Sequence, residues 1–312
     1  MPSRVLVCDP VEPEGLEVLR KEGFRVDERP AITSQELLSI IGEYDVVMVR
    51  SRTKITRDVI SAGKRLKAIV RAGAGLDNVD ADFARQAGIQ VMSTPAALTV
   101  SVAELTVALM LDVLRRVSFA DRNMKEGKWI KSRLVGRELR GKAVGVIGAG
   151  GRIGSEVTRI LRKGFEASVI GYDVVDIKNR TSEMGIEVAT ELDDLLVRSD
   201  IVTIHVPYSE ATYHLLDEKR IFRMKRGSIL INTSRGEIVN GRALLKALKV
   251  KHLSGVGLDV FQNEPPTEEW EKEIISQPDG VTVCTCHIGA QTVEAQKAAS
   301  VMASEALIKL LR

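Results

Sequence analysis

The chain has 312 residues, 44% of them apolar and 28% charged, the make-up of an ordinary globular protein with room for two domains. Its 45 Lys and Arg nearly balance 42 Asp and Glu, so bulk charge gives no reason to expect nucleic acid or a membrane surface as partner. Cys8, Cys284 and Cys286 are too few and too oddly placed for a disulfide framework, and Cys-x-Cys alone is no zinc site, so a reduced, cytoplasmic, metal-free protein is expected.

Met1-Pro2-Ser3-Arg4 runs straight into a strand at Val5–Cys8, which reads as a start without a signal peptide. Glu14–Lys21 has helical spacing and Gly23 stops it, while Thr33-x-x-Glu36 is a capping box for a helix through Ile41. Further strands are expected at Val46–Val49, Ala68–Val70 and Ile89–Met92, making a small α/β unit that Pro95 closes. From Thr99 to Arg116, Val102, Leu105, Leu109 and Val113 recur at helical spacing. Ala103, Val107, Met110 and Leu114 widen that face until it is apolar nearly all round, the mark of a helix buried between domains or in a subunit contact. Its richest part, Val107–Leu114, is broken by Asp112 and reads as too short to span a bilayer. A polar segment containing Trp129 follows, from Asn123 to Glu138.

Val144, Val146 and Ile147 then form the apolar run of a buried parallel strand. Gly148, Gly150, Gly151 and Gly154 follow, with Arg152 and Ile153 among them. Val157, Ile160 and Leu161 come next at helical spacing, and a second apolar run ends at Tyr172-Asp173. Strand, glycine turn, helix, strand and acid is the dinucleotide-binding arrangement: backbone N–H groups close on a pyrophosphate, and the acid takes the ribose hydroxyls. Gly148-x-Gly150-x-x-x-Gly154 is one residue longer than the usual turn. Aligning on Arg152-Ile153-Gly154 instead puts Ala149 in place of the first glycine, which leaves open which amides meet the phosphates. Val174 and Val175 follow Asp173 where an arginine would serve a 2′-phosphate, which favours NAD over NADP.

The alternation resumes with strands at Ile201–Val206, Ile229–Asn232, Val256–Leu258 and Val281–Cys284, and a final helix, Thr292–Leu311, is expected to cross back onto the first unit. Ligands of open α/β sheets sit beyond the carboxyl ends of strands. Three residues stand there in the second unit: Arg235, Glu264 and His287. Each alone is explained by structure, but together they suit hydride transfer to or from a 2-hydroxy acid. An imidazole moves the hydroxyl proton near neutral pH, a carboxylate fixes its tautomer, and a guanidinium grips the substrate carboxylate. His205 ends a strand beside the dinucleotide unit, whereas His214 and His252 have no partner spacing.

The stretches VRSRTKIT, VRAGAGLDNVD, GVIGAGGRIG, INTSRGEIV, GLDVFQNEPP and CHIGAQTVEAQ resemble those of the D-2-hydroxyacid dehydrogenases, in particular the branch that oxidises phosphoglycerate. The resemblance implies two doubly wound, Rossmann- or flavodoxin-like α/β domains with parallel sheets and a cleft between them: a substrate-binding domain, 1–96 plus 292–312, and an NAD-binding domain, 97–291. It places catalysis on Arg235, Glu264 and His287. Cofactor contacts would fall on the glycine turn from Gly148 to Gly154, on Asp173, on His205, Val206 and Pro207, on Thr233, Ser234 and Arg235, and on Asp259, His287, Gly289 and Ala290. It gives Arg50, Ser51 and Arg52 to a substrate phosphate, Arg71 and Gly73 to its carboxylate, and Lys131 to a partner's site in a homodimer or homotetramer. The implied reaction is NAD-dependent oxidation of D-3-phosphoglycerate to 3-phosphohydroxypyruvate, which opens phosphorylated serine synthesis. The alternatives are a reductase of glyoxylate, hydroxypyruvate or another unphosphorylated 2-oxo acid, and a NAD-sensing, co-repressor-like scaffold. Two departures from the pattern are Ala74, where relatives often carry a hydroxyl, and Cys286, where proline usually precedes the histidine. The chain ends at Arg312, so no serine-binding regulatory domain is expected.

Overall fold

A computed structural model describes residues 3–177, 185–278 and 280–312. The chain forms two compact units, Met1–Ser101 with Ala290–Arg312, and Val102–Gly289.

The first unit is a five-stranded parallel sheet in the order β2-β1-β3-β4-β5, with β1 at Arg4–Val7, β2 at Arg25–Glu28, β3 at Val46–Val49, β4 at Ala68–Arg71 and β5 at Gln90–Ser93. The central strands are Val/Ile/Leu runs because both faces are covered, and Leu6, Val47 and Ile69 are fully buried. The strand β2 is missing from the sequence reading. It spells Arg-Val-Asp-Glu and lies at the sheet edge, where a strand keeps contact with water and no apolar run marks it. Thr33 and Glu36 exchange the expected reciprocal hydrogen bonds, and the helix they start, Ser34–Ile40, tails into a 3-10 turn at Ile41–Glu43.

The last helix, Val293–Leu311, completes this unit by packing on Pro13–Lys21. A Cβ on Gly15 would lie 2.1 Å from Ser300 Oγ, so only glycine allows so close an approach. Ser300 Oγ donates to the Glu12 carbonyl at 2.7 Å, and Lys297 pairs with Glu14.

The second unit is a seven-stranded parallel sheet, β12-β11-β10-β9-β6-β7-β8. Its strands are β6 (Ala143–Ile147), β7 (Ser168–Tyr172), β8 (Glu187–Val188), β9 (Ile201–Ile204), β10 (Ser228–Asn232), β11 (Leu253–Leu258) and β12 (Thr282–Cys284). The expected strand Ile201–Val206 thus stops at Ile204, and the His205 amide makes the last bond to the neighbouring strand, donating to the Ile147 carbonyl at 2.8 Å. The long apolar helix runs Thr99–Arg115, and with the turn Pro95–Leu98 its 21 residues would suffice by length and composition to cross a membrane. That corrects the shorter span read from sequence. Its Leu109 and Val113 lie against Gly257 and Gly255 of β11, and Ala103 and Met110 are fully buried, so it is a core helix of this sheet. Leu192, Leu195, Leu244 and Leu248 fill the opposite face.

Chain order reverses between β6 and β9 here, and between β1 and β3 in the first unit. Crevices form beyond the strand ends at such reversals. The residues there are the glycine turn and His205–Pro207 in one unit, and Asp9 and Arg50–Thr53 in the other.

Candidate active site

The turn after β6 is shaped by what its glycines exclude. Gly148 has φ +85°, and a Cβ there would lie 2.7 Å from the His205 carbonyl oxygen across the chain reversal. Gly154, in the first turn of helix Arg152–Phe165, stands so close that a Cβ would be 2.1 Å from the Gly148 carbonyl oxygen. These two glycines are the fixed points, and Ala149 between them is buried. Gly151 is the N-cap and no side chain caps it, so the amides of Arg152 and Ile153 open the helix. The Asp173 carboxylate accepts from the Gly150 amide at 3.0 Å and from the Val175 amide at 3.3 Å. A cradle closed to any side chain, an uncapped helix start and a carboxylate at the end of β7 fit a dinucleotide.

His205 and Pro207 border this turn. The His205 Nε2 meets Thr203 Oγ1 at 3.0 Å, while Nδ1 is buried with no partner among the described residues, and burial pushes the imidazole pKa down to about 3. This ring is neutral at working pH. Thr233 Oγ1 meets Thr106 Oγ1 at 2.8 Å, and the Ser234 hydroxyl donates to the Val206 carbonyl.

Arg235, Glu264 and His287 come from the turns after β10, β11 and β12. The His287 Nδ1 lies 2.6 Å from Glu264 Oε2. A carboxylate can only accept, so Nδ1 carries the hydrogen and Nε2 is left as the proton-accepting nitrogen. Burial alone would raise the Glu264 pKa. The hydrogen bond and charge of His287, the Phe261 amide and the Arg235 guanidinium together hold it below the usual carboxylate range. Arg235 is brought beside Glu264 by Gly236, where a Cβ would lie 2.0 Å from the Phe261 carbonyl carbon. The Asn232 side chain donates to the Arg235 carbonyl at 2.8 Å and accepts from the Ser234 amide at 3.0 Å.

His287 has φ +55°, a left-handed conformation that L-residues rarely hold. Asp259, 1% exposed, holds it there. Its carbonyl accepts from the His287 amide at 2.8 Å, and its carboxylate accepts from Thr285 Oγ1 at 2.6 Å, the Ile288 amide at 2.8 Å and the Gly289 amide at 2.9 Å. Asp259, named from the resemblance as a cofactor contact, therefore also carries the histidine loop. Ala290 is the residue at which the chain returns to the first unit, Cys286 is exposed, and Lys131 opens an exposed 3-10 turn, Lys131–Arg133.

In the first unit, Arg50, Ser51 and Arg52 follow β3 as expected, but the arginines are differently employed. The Arg52 guanidinium donates to the carbonyls of Cys8, Pro30 and Ile32 and lies 3.1 Å from Asp9 Oδ1. Arg50 reaches the Pro10 carbonyl at 3.3 Å and Gln296 Oε1 at 3.2 Å. Arg71, mostly buried, donates to the carbonyls of Arg50 and Gly75, and Gly73 exchanges hydrogen bonds with Thr94. The residues that sequence reasoning missed are the acids and amides beneath these loops: Asp9, Asn232 and Glu271. Asp9 had a signal, since it stands at the carboxyl end of β1 beside the chain reversal.

Residues 107–289 match the family model "D-isomer specific 2-hydroxyacid dehydrogenase, NAD binding domain". A D-3-phosphoglycerate dehydrogenase of Methanocaldococcus jannaschii is 40% identical over 99% of this chain and 57% of its own length. A hydroxypyruvate reductase of Thermotoga maritima is 41% identical over 99% of this chain and 98% of its own. Among solved structures, D-lactate dehydrogenase from Aquifex aeolicus, complexed with NAD and lactic acid, superposes with a TM-score of 0.85 at 29% identity, covering 99% of this chain and 95% of that one. The chain belongs to the D-isomer specific 2-hydroxyacid dehydrogenase family, and its second unit contains that family's NAD-binding domain. It spans little more than half the length of the phosphoglycerate dehydrogenase it matches and nearly all of the hydroxypyruvate reductase.

Proposed function

We propose that this protein is a NAD-dependent D-2-hydroxyacid dehydrogenase acting on D-3-phosphoglycerate, oxidising it to 3-phosphohydroxypyruvate. The observation that carries the reaction class is the 2.6 Å contact between His287 Nδ1 and Glu264, with the Arg235 charge beside it, on an NAD-binding unit. NAD held by the glycine turn and Asp173 would supply the acceptor for the C2 hydrogen and its electron pair. His287 Nε2 takes the hydroxyl proton, and Glu264 stabilises the imidazolium so formed and keeps the ring from turning. Arg235 grips the substrate carboxylate. The phosphate falls to the loop after β3, with Arg50 as the reaching cation, because Arg50 is held by one carbonyl and the neutral Gln296 side chain, whereas Arg52 is held by three carbonyls and the Asp9 carboxylate. Lys131 would act across a homodimer contact.

A second reading is favoured by that same engagement of Arg52 and by the full-length match to a hydroxypyruvate reductase. In it the substrate is an unphosphorylated 2-oxo acid and the loop needs only one cation. NADH absorbance with 3-phosphoglycerate, 3-phosphohydroxypyruvate, glycerate, hydroxypyruvate and glyoxylate separates the two. Arg50→Ala is expected to raise KM about 10- to 100-fold for phosphorylated substrates alone, the loss of one charged hydrogen bond. Equal loss on glycerate or hydroxypyruvate removes the phosphate assignment. His287→Ala should lower kcat by about 10²- to 10⁴-fold with NAD still bound, and a near-normal rate removes the reaction class.

A further inference from the structure

We infer that Glu271 is the positioning residue of the acid–base pair, acting through Glu264; this rests on the dehydrogenase reading above. Glu271 lies in the first turn of helix Glu269–Ile275 and is 0% exposed. A carboxylate so placed is expensive to keep unless several donors face it. Four do. Its Oε1 accepts from the Asn263 amide at 2.9 Å, and its Oε2 accepts from Asn263 Nδ2, the Thr267 amide and the Glu268 amide, each at 3.1 Å. Among the described residues no cation is paired with it.

A capping residue at this position needs only the bond to Glu268. Of the other three, two reach back over the Glu264-Pro265-Pro266 turn to Asn263, the residue before Glu264, and the third holds Thr267 just after it. Glu271 therefore ties both ends of the loop, Asn263 and Thr267–Glu268, to the start of one helix. Between those anchors Glu264 receives the Phe261 amide at 3.2 Å on one oxygen and His287 on the other. Glu264 itself is half-exposed, so nothing in the core packs it into place, and the hidden acid supplies what packing does not. A catalytic carboxylate displaced by about 1 Å loses rate out of proportion to its lost binding.

The experiment is a double-mutant cycle in the complete protein, with NADH and the 2-oxo acid it reduces best. Glu271→Ala is expected to lower kcat about 10-fold with the KM for NADH unchanged, and Glu271→Gln, which keeps one acceptor oxygen, to lose less. In a Glu264→Ala background Glu271→Ala should cost nothing further, because its target is gone. Hydrogen exchange on the cofactor-free protein gives a readout independent of turnover: the Phe261 amide should lose protection in Glu271→Ala. If Glu271→Ala unfolds the protein, Glu271→Gln carries the same comparisons. Multiplicative losses in the cycle, or an unaltered Phe261 amide, overturn the role of Glu271 alone. A Glu264→Ala enzyme at full rate overturns the acid–base reading itself, and this inference with it.

Discussion

His205 shows how burial turns an ionisable ring into a liability at low pH. Its folded pKa is about 3, against about 6.5 for a free imidazole, so between those values the unfolded chain binds a proton that the folded one refuses. Stability is therefore complete above about pH 6.5 and falls as the pH drops, by up to about 1.4 kcal/mol per unit. His205→Asn should flatten the dependence of Tm on pH between 6 and 4; an equally steep variant would show the ring is not the cause. Other single residues were only partly legible. Arg235, Glu264 and His287 were readable because they stand past strand ends in a set that one reaction needs. Asp9, Asp259 and Glu271 are acids too, yet sequence does not say that they turn inward and collect N–H donors. That choice is made by the loops above them, which exist only once the strands are paired.

Elements were legible wherever burial was complete. The runs Val46–Val49 and Ile229–Asn232 and the long helix from Thr99 announce themselves because both faces of a parallel sheet must be covered. The edge strand β2 does not, and the positions of turns relative to one another are invisible without the fold. Gly236 is the clearest case. In sequence it is one glycine after an arginine, whereas in space it lets the Arg235 turn lie on the backbone of Phe261. Gly236→Ala puts a carbon where there is none to spare, so one of the two turns must shift. We expect kcat/KM to fall about 10- to 100-fold and stability by about 1–3 kcal/mol, with the NAD dissociation constant unchanged. A variant with normal turnover would mean that the turns yield without moving Arg235.

At the scale of the molecule, the first unit is discontinuous, since Val293–Leu311 is seated on Pro13–Lys21 through Gly15 and Ser300. Removal of residues 293–312 should strip helix Pro13–Lys21 of its partner and melt the first unit while the second still binds NAD. Calorimetry and NAD titration of the truncated chain check this, and a single transition at the parent Tm would refute it. On the ribosome the same arrangement sets a timetable. The opening hundred residues leave the exit tunnel with their hydrophobic seat vacant, and the whole nucleotide-binding unit is made before the piece that fills it. At about 5–20 residues per second that interval is roughly 10–40 s, during which the nascent amino-terminal unit must stay unfinished without aggregating, while the half that binds the cofactor is already free to fold.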